Sequence, residues 1–265
     1  MGHKEKVIRM SSDPMTQETS LLDYSSGPIQ LLIADRGWSA LEPAERAKAA
    51  YEFVRNEIAF GYNSDDKLTA SEVLRDGYGQ CNTKTSLLMA LLRAMDLPCR
   101  FHGFTIHKSL QRGIVPEIVY PLAPSNILHS WVEVSLDGRL VTLEGFILDD
   151  AVLTALQTAF PDQDSICAYG AGTDNLQTPD VGWSGQDTYI QRTGINFDFG
   201  TFASPDAFYA KHRQLRGFKG LLYRFVIRHW MNARVERLRR GLVPTIPNGP
   251  ANALPPQQPN VKEAV

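Results

Sequence analysis

The sequence has 265 residues, 43% of them hydrophobic and 21% charged, which is the composition of a soluble globular protein with one large domain or a domain and an appendage. Its formal net charge of -2 provides no global field toward nucleic acid, and we expect no nucleic-acid partner. The three cysteines, Cys81, Cys99 and Cys167, are too few for a secreted disulfide framework and favour a reducing compartment. Because no apolar region near the start suits a signal peptide, and no run of about 20 apolar residues could span a bilayer, we expect a cytoplasmic protein.

Composition divides the chain into four predicted segments. Residues 1–20 are polar and predict a loose N-terminal segment, and residues 21–160 carry the regular patterns expected of a core domain. Residues 161–241 predict an irregular stretch, to about residue 195, followed by C-terminal helices that pack on the core. Residues 242–265 contain six prolines and no periodicity, which predicts a disordered tail.

Capping patterns place the first helices. A short helix is expected after Gly27-Pro28. Ser39 and Glu42 make a capping-box pattern before Pro43, and apolar residues then recur at helical spacing: Ala47, Ala50, Tyr51, Val54 and Ile58. A second capping box, Thr69 with Glu72, predicts a short helix that ends at Asp76-Gly77-Tyr78-Gly79, where two glycines allow a sharp turn.

An apolar-striped helix and three strands are predicted next. Cys81 begins the helix, which Pro98 stops, and its stripe consists of Leu87, Leu88, Leu91, Leu92 and Met95. Residues 100–106 predict a strand and residues 111–126 a loop. Residues 130–136 alternate in polarity, and Asp137-Gly138 is a strong hairpin signal before a return strand at 139–143. Further helices are expected at 151–159, at 206–213 behind Ser204-Pro205, and from about 217 to 240.

Cys81 is the first candidate for chemistry because it follows a Gly-x-Gly turn and lies in the first turn of its helix. A helix N-terminus favours negative charge, and therefore the nucleophilic thiolate over the thiol. The backbone N–H groups of the same turn can stabilise an oxyanion. From position alone, a small buried cysteine that caps a core helix is an equally good interpretation.

The predicted hairpin brings His129 and Glu144 together. If residues 137–138 form the turn, Trp131 faces Glu144, and His129 lies on the same face two residues away. His129 and Glu144 are then diagonal neighbours, with backbones roughly 7–8 Å apart. A carboxylate bound to an imidazole fixes its tautomer and stabilises the imidazolium, as catalytic triads require. A bulge would shift this register, and Glu144 would then be a solvated surface acid.

Other chemistry-bearing residues have no partner that the pattern places. Cys99 is predicted to be a packed strand residue, Cys167 lies in the irregular stretch, and His102 and His107 stand on or after a different strand. The Cys and His spacings match no metal site, and no phosphate-binding glycine motif lies between a strand and a helix. We therefore expect no metal and no organic cofactor.

Three motifs resemble those of the transglutaminase-like proteins. Gly79-Gln80-Cys81, with the leucine-rich helix and Leu97-Pro98-Cys99-Arg100 that follow it, is similar to their cysteine segment. His129-Ser130-Trp131-Val132-Glu133-Val134 resembles their histidine strand, and Thr142-Leu143-Glu144 stands where their acidic strand residue stands. The motifs keep the family's order within about residues 22–150. The usual acid of the family is Asp, and here it is Glu144.

The resemblance implies a papain-like α+β core over residues 21–160, in which the cysteine helix packs on an antiparallel sheet, with a C-terminal helical extension. It also implies a catalytic triad of Cys81, His129 and Glu144 that works through a thioester on a peptide, protein or small amide, by hydrolysis or transamidation. The candidates for the oxyanion hole or substrate binding are Tyr62, Gln80 and Trp131. The alternative is a non-catalytic scaffold with the same fold.

The C-terminal helix is strongly basic, because residues 211–240 contain twelve Lys, Arg or His residues against one acid, Glu236. Its apolar residues can form one face: Phe218, Leu221, Leu222, Phe225, Met231, Val235 and Leu238. Residues 217–240 could therefore bind a membrane surface or an acidic partner as a basic amphipathic helix. The preferred interpretation is a helix that covers the core and keeps a solvated basic face.

Overall fold

Helices and one antiparallel sheet build an α+β fold in the computed structural model, which describes residues 13–214, 217–247 and 249–250. The helices are α1 (Gly27–Asp35), α2 (Pro43–Asn56), α3 (Ala70–Asp76), α4 (Cys81–Ala94), α5 (Asp150–Ala159), α6 (Pro205–Lys211), α7 (Gly217–Leu222) and α8 (Arg228–Arg239). The strands are β1 (Ala59–Phe60), β2 (Tyr78–Gly79), β3 (Cys99–His107), β4 (Asn126–Leu136), β5 (Arg139–Leu143), β6 (Ile166–Ala168), β7 (Ala171–Thr173) and β8 (Ile195–Phe202). The predicted fold class is confirmed.

The sheet has four antiparallel strands in the order β5-β4-β3-β8. Asp137 and Gly138 have φ angles of 50° and 77°, which is the left-handed pair that a type I′ hairpin turn requires. Leu136 pairs with Arg139 across the turn, and the ladder continues to Val132 opposite Leu143. The hairpin and its register are therefore as predicted, and Glu144 follows directly at the end of β5.

Helix α4 lies at the centre of the molecule, between the sheet and helices α1, α2 and α3. All of its residues from Cys81 to Arg93 are buried, so the helix is enclosed on every side rather than along one apolar stripe. Its polar side chains therefore need internal partners. Thr85, for example, donates its hydroxyl to the Ser130 carbonyl at 3.3 Å and fastens the helix to β4.

Several predicted boundaries differ from the structure. Helix α2 is capped by Glu42, with Pro43 at its start, whereas Ser39 lies in the separate 3-10 turn Trp38–Ala40. The capping box of Thr69 and Glu72 is present with both hydrogen bonds. The stretch 161–195 was predicted to be irregular but contains the β6–β7 hairpin, and β8 beyond it joins the main sheet beside β3.

Both chain ends are more firmly attached than predicted where the structure describes them. In the segment 1–20, expected to be loose, the Met15 carbonyl accepts from the Cys99 amide at 3.0 Å and the Thr19 hydroxyl donates to Asp206 at 2.5 Å. In the segment 242–265, expected to be disordered, Ile246 is buried and the Pro244 carbonyl accepts from the Tyr169 hydroxyl at 2.6 Å. Residues 1–12, 248 and 251–265 lie outside the described residues.

The predicted long C-terminal helix is continuous over residues 217–239, with a π-helical turn at Tyr223–Ile227 between α7 and α8. Asn232 on α8 accepts from the Tyr62 amide at 2.7 Å and donates to the Tyr62 carbonyl at 3.0 Å. These two bonds hold the helix against the chain that follows β1. Among the described residues, no helix is long and apolar enough to cross a membrane.

Lys84 is a fully buried cation within α4. Its ammonium donates to the Arg55 carbonyl at 3.2 Å and to the Ile147 carbonyl at 3.1 Å, which ties α4 to the end of α2 and to the segment before α5. Burial lowers the pKa of Lys84 to about 7, in spite of the opposing charge of Asp149.

This lowered pKa predicts that stability depends on pH through Lys84. Between about pH 7 and pH 8, below the ordinary pKa of the buried thiols, the unfolded chain binds the Lys84 proton and the folded chain largely does not, so this group contributes a rise of about 1 kcal/mol per pH unit to the free energy of unfolding. Urea unfolding at several pH values in this range should give a slope that is more positive by this amount in the wild type than in Lys84→Met. The exposed Lys48→Met variant should keep the wild-type slope, and equal slopes in all three proteins would contradict the prediction.

Candidate active site

The N-terminal turn of α4 presents Cys81 at its first position. Gln80 is the N-cap, its amide donates to the Thr83 hydroxyl at 3.1 Å, and its backbone is extended. A Cβ added to Gly79 would lie 2.7 Å from Thr83 Oγ1 and 2.9 Å from Lys84 Cγ. Glycine is therefore required at position 79 because α4 packs directly against the chain that enters it. Cys81 itself is only 7% exposed.

His129 and Glu144 form a fully buried pair. His129 Nε2 lies 3.0 Å from Glu144 Oε1, and both side chains are 0% exposed. The other carboxylate oxygen accepts from the backbone amides of Ile190 at 2.7 Å and Gln191 at 3.0 Å. Because two backbone N–H groups hold the second oxygen, Glu144 is bound as a hydrogen-bond acceptor, and the His129 tautomer that pairs with it carries the proton on Nε2. The predicted contact is confirmed, and Glu144 is not a surface acid.

Asn82 aligns the cysteine turn with the histidine strand. Its side chain donates to the Leu128 carbonyl at 3.1 Å and accepts from the Ser130 hydroxyl at 3.0 Å. Asn82 is therefore hydrogen-bonded to the residues immediately before and after His129 in β4. The backbone N–H groups of Asn82 and Ser130 point toward the Cys81 thiol. Within the described part of the chain, His129 Nδ1 is buried without a hydrogen-bond partner. Asn82, the residue after Cys81, thus ties the start of α4 to the two neighbours of His129 in β4.

The environment of the Cys81 thiol opposes its ionisation. Burial, together with the charges of Asp66 and Glu144, raises the pKa of Cys81 well above its ordinary value, although the N–H groups of Asn82 and Ser130 act in the opposite direction. The N–H group of Asn82 thus acts in the direction predicted for the helix N-terminus, but burial outweighs it. Desolvation of the anion outweighs the partial positive charge of the helix end.

A carboxyl group that the sequence analysis missed stands close to the thiol. Asp66 Oδ1 accepts from Gln80 Nε2 at 2.9 Å, one residue before Cys81. Burial raises the pKa of Asp66 to about 6, even though hydrogen bonds from Asn82 and Gln80 lower it. In the sequence, Asp66 belongs to a polar loop with no periodicity, so nothing but its proximity to the motif at Cys81 could have indicated it.

Two tyrosines from the C-terminal third of the chain were also missed. Tyr209 on α6 is 2% exposed, and its hydroxyl has no hydrogen-bond partner among the described residues. Tyr223 in the π turn donates to the Asn63 carbonyl at 3.2 Å. Burial, with the nearby charges of Asp66 and Cys81, raises the pKa of both phenols well above the ordinary value, so both remain donors. No local spacing connects them to Cys81, since more than a hundred residues separate them in sequence.

The three remaining predicted site residues lie near the cysteine or the histidine. Gln80 uses its side chain to accept from the Asn63 amide at 3.0 Å and to hold Asp66. Tyr62 is 5% exposed, and burial raises the pKa of its phenol, with a further contribution from Cys81. Trp131 lies edge-on to the His129 ring, with centroids 6.5 Å apart, and its indole N–H donates to Glu133 at 3.4 Å.

A second histidine on the same sheet face has the partners that the sequence pattern did not place. His102 Nδ1 lies 2.7 Å from Glu133 and Nε2 lies 2.8 Å from Asp198, and the ring stacks on Phe104 at 4.2 Å. Burial by itself would lower the pKa of His102, but these two carboxylates raise it. Burial by itself would raise the pKa of Glu133, but hydrogen bonds from His102, Arg100 and Trp131 hold that pKa at about 2.

No group of three or more His, Cys, Asp or Glu side chains in residues 13–214, 217–247 and 249–250 is arranged to hold a metal ion. All three cysteines are free and buried, and Cys167 lies in β6 with its sulfur 3.1 Å from the Ser109 hydroxyl. The absence of a metal or an organic cofactor stays a prediction.

Comparison with known proteins gives a family for the segment that contains the site. Residues 34–144 match the profile of the transglutaminase-like superfamily, a range that begins in α1 and ends at Glu144. No curated protein matches the chain. The fold is also similar to a crystal structure described as a "Putative Cysteine Protease" from Cytophaga hutchinsonii, with 12% identity and a TM-score of 0.43. That match covers 77% of this chain and 51% of the other, so the chain spans about half the length of that protein.

The position of Asp66 predicts how the thiol responds to its removal. Above about pH 6 the Asp66 carboxylate is ionised and disfavours the Cys81 thiolate, so Asp66→Asn should lower the pKa of Cys81. Because one pKa unit is a tenfold change in thiolate fraction, alkylation of Cys81 by iodoacetamide at pH 8 should become several-fold faster. Peptide mapping would give the rate, with Cys99 and Cys167 as internal references.

The same experiment has a pH signature. The ratio of the two rates should fall toward one below pH 6, where Asp66 is already neutral in the wild type. Asp65→Asn, at the exposed neighbouring position, is the matched control and should leave the rate unchanged. An equal or slower rate in Asp66→Asn at pH 8 would contradict the electrostatic role.

Proposed function

Residues 34–144 of this chain belong to the transglutaminase-like superfamily, and from this premise we propose that the protein is a cysteine-dependent acyl-transfer enzyme with Cys81, His129 and Glu144 as its triad. One observation carries the proposal. Glu144 binds His129 at Nε2, and this leaves Nδ1 as the unbonded, proton-accepting nitrogen beside the cysteine turn. A base whose tautomer is fixed by a buried carboxylate is what a thiol nucleophile needs for activation.

The proposed reaction begins with proton transfer from the Cys81 thiol to His129 Nδ1. The sulfur then bonds to the carbonyl carbon of an amide or ester, and the oxyanion is stabilised by backbone N–H groups at the start of α4. When the carbon–nitrogen or carbon–oxygen bond breaks, the His129 proton moves to the leaving group and a thioester remains on Cys81. Water or an amine then attacks the thioester, with His129 as the base, and the thiol is restored.

Desolvation has opposite consequences for the resting and the reacting site. The buried thiol is a poor acid, and the proposed acceptor of its proton is His129 Nδ1, which is buried without a hydrogen-bond partner among the described residues. The imidazolium that forms would be stabilised by Glu144, and a thiolate–imidazolium pair needs less solvation than a lone thiolate. Because Cys81 is 7% exposed, a substrate carbonyl can reach the sulfur only if the side chains that cover it move.

Three further residues are proposed to contact the substrate. Gln80 and Tyr62 flank the cysteine turn, and Trp131 lies edge-on to His129 on the face of β4 that carries the base. Gln80 Nε2 already donates to Asp66, so only its second amide hydrogen is available to an oxyanion. Tyr209, whose buried hydroxyl has no partner in the described ranges, is a further candidate for an oxyanion donor.

A non-catalytic scaffold is the second candidate, and the burial of the thiol favours it. A protein that needs only the fold could keep Cys81 as a small core residue at the start of α4. The scaffold interpretation does not explain why His129 Nδ1 is buried without a hydrogen-bond partner, since such an atom costs stability. The two candidates differ in whether Cys81 can be acylated.

Acylation by p-nitrophenyl acetate tests the enzyme proposal directly. We expect a burst of nitrophenol release and an acetyl group on the Cys81 peptide, with none on Cys99 or Cys167. Because a general base contributes about 10²–10⁴-fold, His129→Ala should slow acylation by that factor. Adding a primary amine such as glycine methyl ester would show whether the thioester is transferred to an amine or to water.

Cys99→Ala serves as the control for a buried cysteine elsewhere, and it should acylate like the wild type. Cys81→Ala should lose the burst. If Cys81 is not acylated at any pH in a folded wild-type protein, or is acylated equally in His129→Ala, the triad proposal is wrong and the scaffold is favoured.

The Glu144→Gln variant tests the tautomer argument. The Gln carbonyl can keep both backbone N–H bonds of residues 190 and 191, but its NH₂ group then faces His129 Nε2. His129 would have to protonate Nδ1 instead, and it could no longer accept the thiol proton. By the same logic that applies to an Asp→Asn change in a serine-protease triad, acylation should fall by about 10³–10⁴-fold while the fold is retained.

Glu133→Gln is a matched control, because it also removes a carboxylate from a histidine, here His102 on the neighbouring strand β3. It should leave acylation of Cys81 within about a factor of two or three, which is the usual context dependence of a distant change. A similar loss of acylation in both variants would point to general damage of the sheet rather than to tautomer control by Glu144.

A further inference from the structure

The helix at residues 217–239 exposes four large apolar side chains that the fold does not use. Leu221 is 56% exposed, Phe225 65%, Val226 42% and Trp230 49%. Isolated exposed hydrophobic residues are common, but four large ones within ten positions of one helix are a concentration that favours an interaction surface. We call these four residues the outer face.

The π turn changes the relative position of these residues around the helix. Leu221 and Trp230 are nine positions apart, which is roughly two and a half turns of an α-helix and would place them on opposite sides. The turn at Tyr223–Ile227 is π-helical, with more residues per turn, so it reduces the angle between Leu221 and Trp230 around the helix axis. The predicted single apolar face, which joined Leu221 with Met231, is therefore wrong.

The opposite side of the same helix is bound to the core. Met231, Val235 and Leu238 are buried, and Asn232 holds the Tyr62 backbone through two hydrogen bonds. The inner side also carries Tyr223, which donates to the Asn63 carbonyl. One side of the helix is therefore packed against the core of this chain, and the outer face is the side that stays exposed to solvent.

Basic residues accompany the outer face without acidic partners. The sequence has no Asp or Glu between residues 207 and 235. Lys219, Arg224 and Arg228 form no ion pair within the part of the chain that the structure describes, and the Arg224 guanidinium lies 5.7 Å from the centre of the Phe225 ring. Helices that lie in the interface of an anionic membrane typically combine Leu, Phe and Trp with Lys and Arg.

We propose that the outer face binds peripherally to an anionic lipid surface, with Leu221, Phe225, Val226 and Trp230 inserted at the headgroup level. The unpaired cations would contact the lipid phosphates. A second copy of the chain fits less well, since four side chains fall far short of the roughly 20–30 residues per side of a stable interface, and two basic faces would repel each other. The proposal is independent of the catalytic one.

Vesicle co-sedimentation of the full-length protein tests this surface. The wild type should sediment with phosphatidylcholine vesicles that contain one quarter phosphatidylglycerol and remain in solution with pure phosphatidylcholine. Phe225→Ser combined with Trp230→Ser should weaken binding by about a hundredfold, because inserting each aromatic side chain is worth roughly a factor of ten. Lys219→Glu combined with Arg224→Glu should also weaken binding and reduce its salt dependence.

The matched control removes two exposed apolar residues elsewhere, Leu31→Ser with Ile118→Ser, which are 64% and 81% exposed. This variant should bind like the wild type, and far-ultraviolet circular dichroism should be the same for all proteins. Absence of binding to anionic vesicles, or equal binding by the Phe225/Trp230 variant, would overturn the proposal. Concentration-dependent self-association that the same two substitutions abolish would overturn it in favour of a second copy.

Discussion

The carboxylate of Glu144 is completely buried at the end of β5 and accepts hydrogen bonds from His129 and from the amides of Ile190 and Gln191. A buried charge is tolerated only when it is fully hydrogen-bonded, so these three donors have to stay in place. The same carboxylate thereby sets the tautomer of His129 and fixes the loop that returns after β7. The Glu144 side chain is held in place because its second oxygen accepts the backbone N–H groups of Ile190 and Gln191.

The position of Cys81 depends on the burial of α4 between the sheet and helices α1, α2 and α3. The first turn of α4 fits against β4 because Asn82 bridges the Leu128 carbonyl and the Ser130 hydroxyl. This packing also removes the Cys81 thiol from water. Two carboxyl groups, Asp66 and Glu144, lie close enough to disfavour the thiolate further. The proposed activity of Cys81 therefore requires that a substrate or partner displace the side chains that cover the thiol.

The C-terminal third of the chain connects the site with the surface. Tyr223 and Asn232 face inward and bind Asn63 and Tyr62, and Asn63 in turn donates its amide to Gln80 at the cap of the cysteine helix. Leu221, Phe225, Val226 and Trp230 face outward on the same helix. The family match ends at residue 144, so these contacts belong to a region for which the comparison gives no family. The proposed membrane surface and the proposed active site are thus on opposite sides of one helix.

The sequence alone was sufficient for the hairpin and for the contact that depends on it. Asp137-Gly138 fixes a two-residue turn, the period of two along β4 fixes the face, and together they place His129 beside Glu144 before any tertiary packing is known. The capping box at Thr69 and the start of α4 at Cys81 are likewise local signals. By contrast, Asp66, Tyr209 and Tyr223 meet Cys81 through long-range packing, and β8, although its phenylalanines alternate, joins the sheet only because β3 has an open edge. Burial of the Cys81 thiol also outweighs the expected effect of the helix N-terminus on its pKa. Local patterns determine turns, caps and strand faces, whereas the solvation of a charge depends on every element that surrounds it, and that is known only from the tertiary structure.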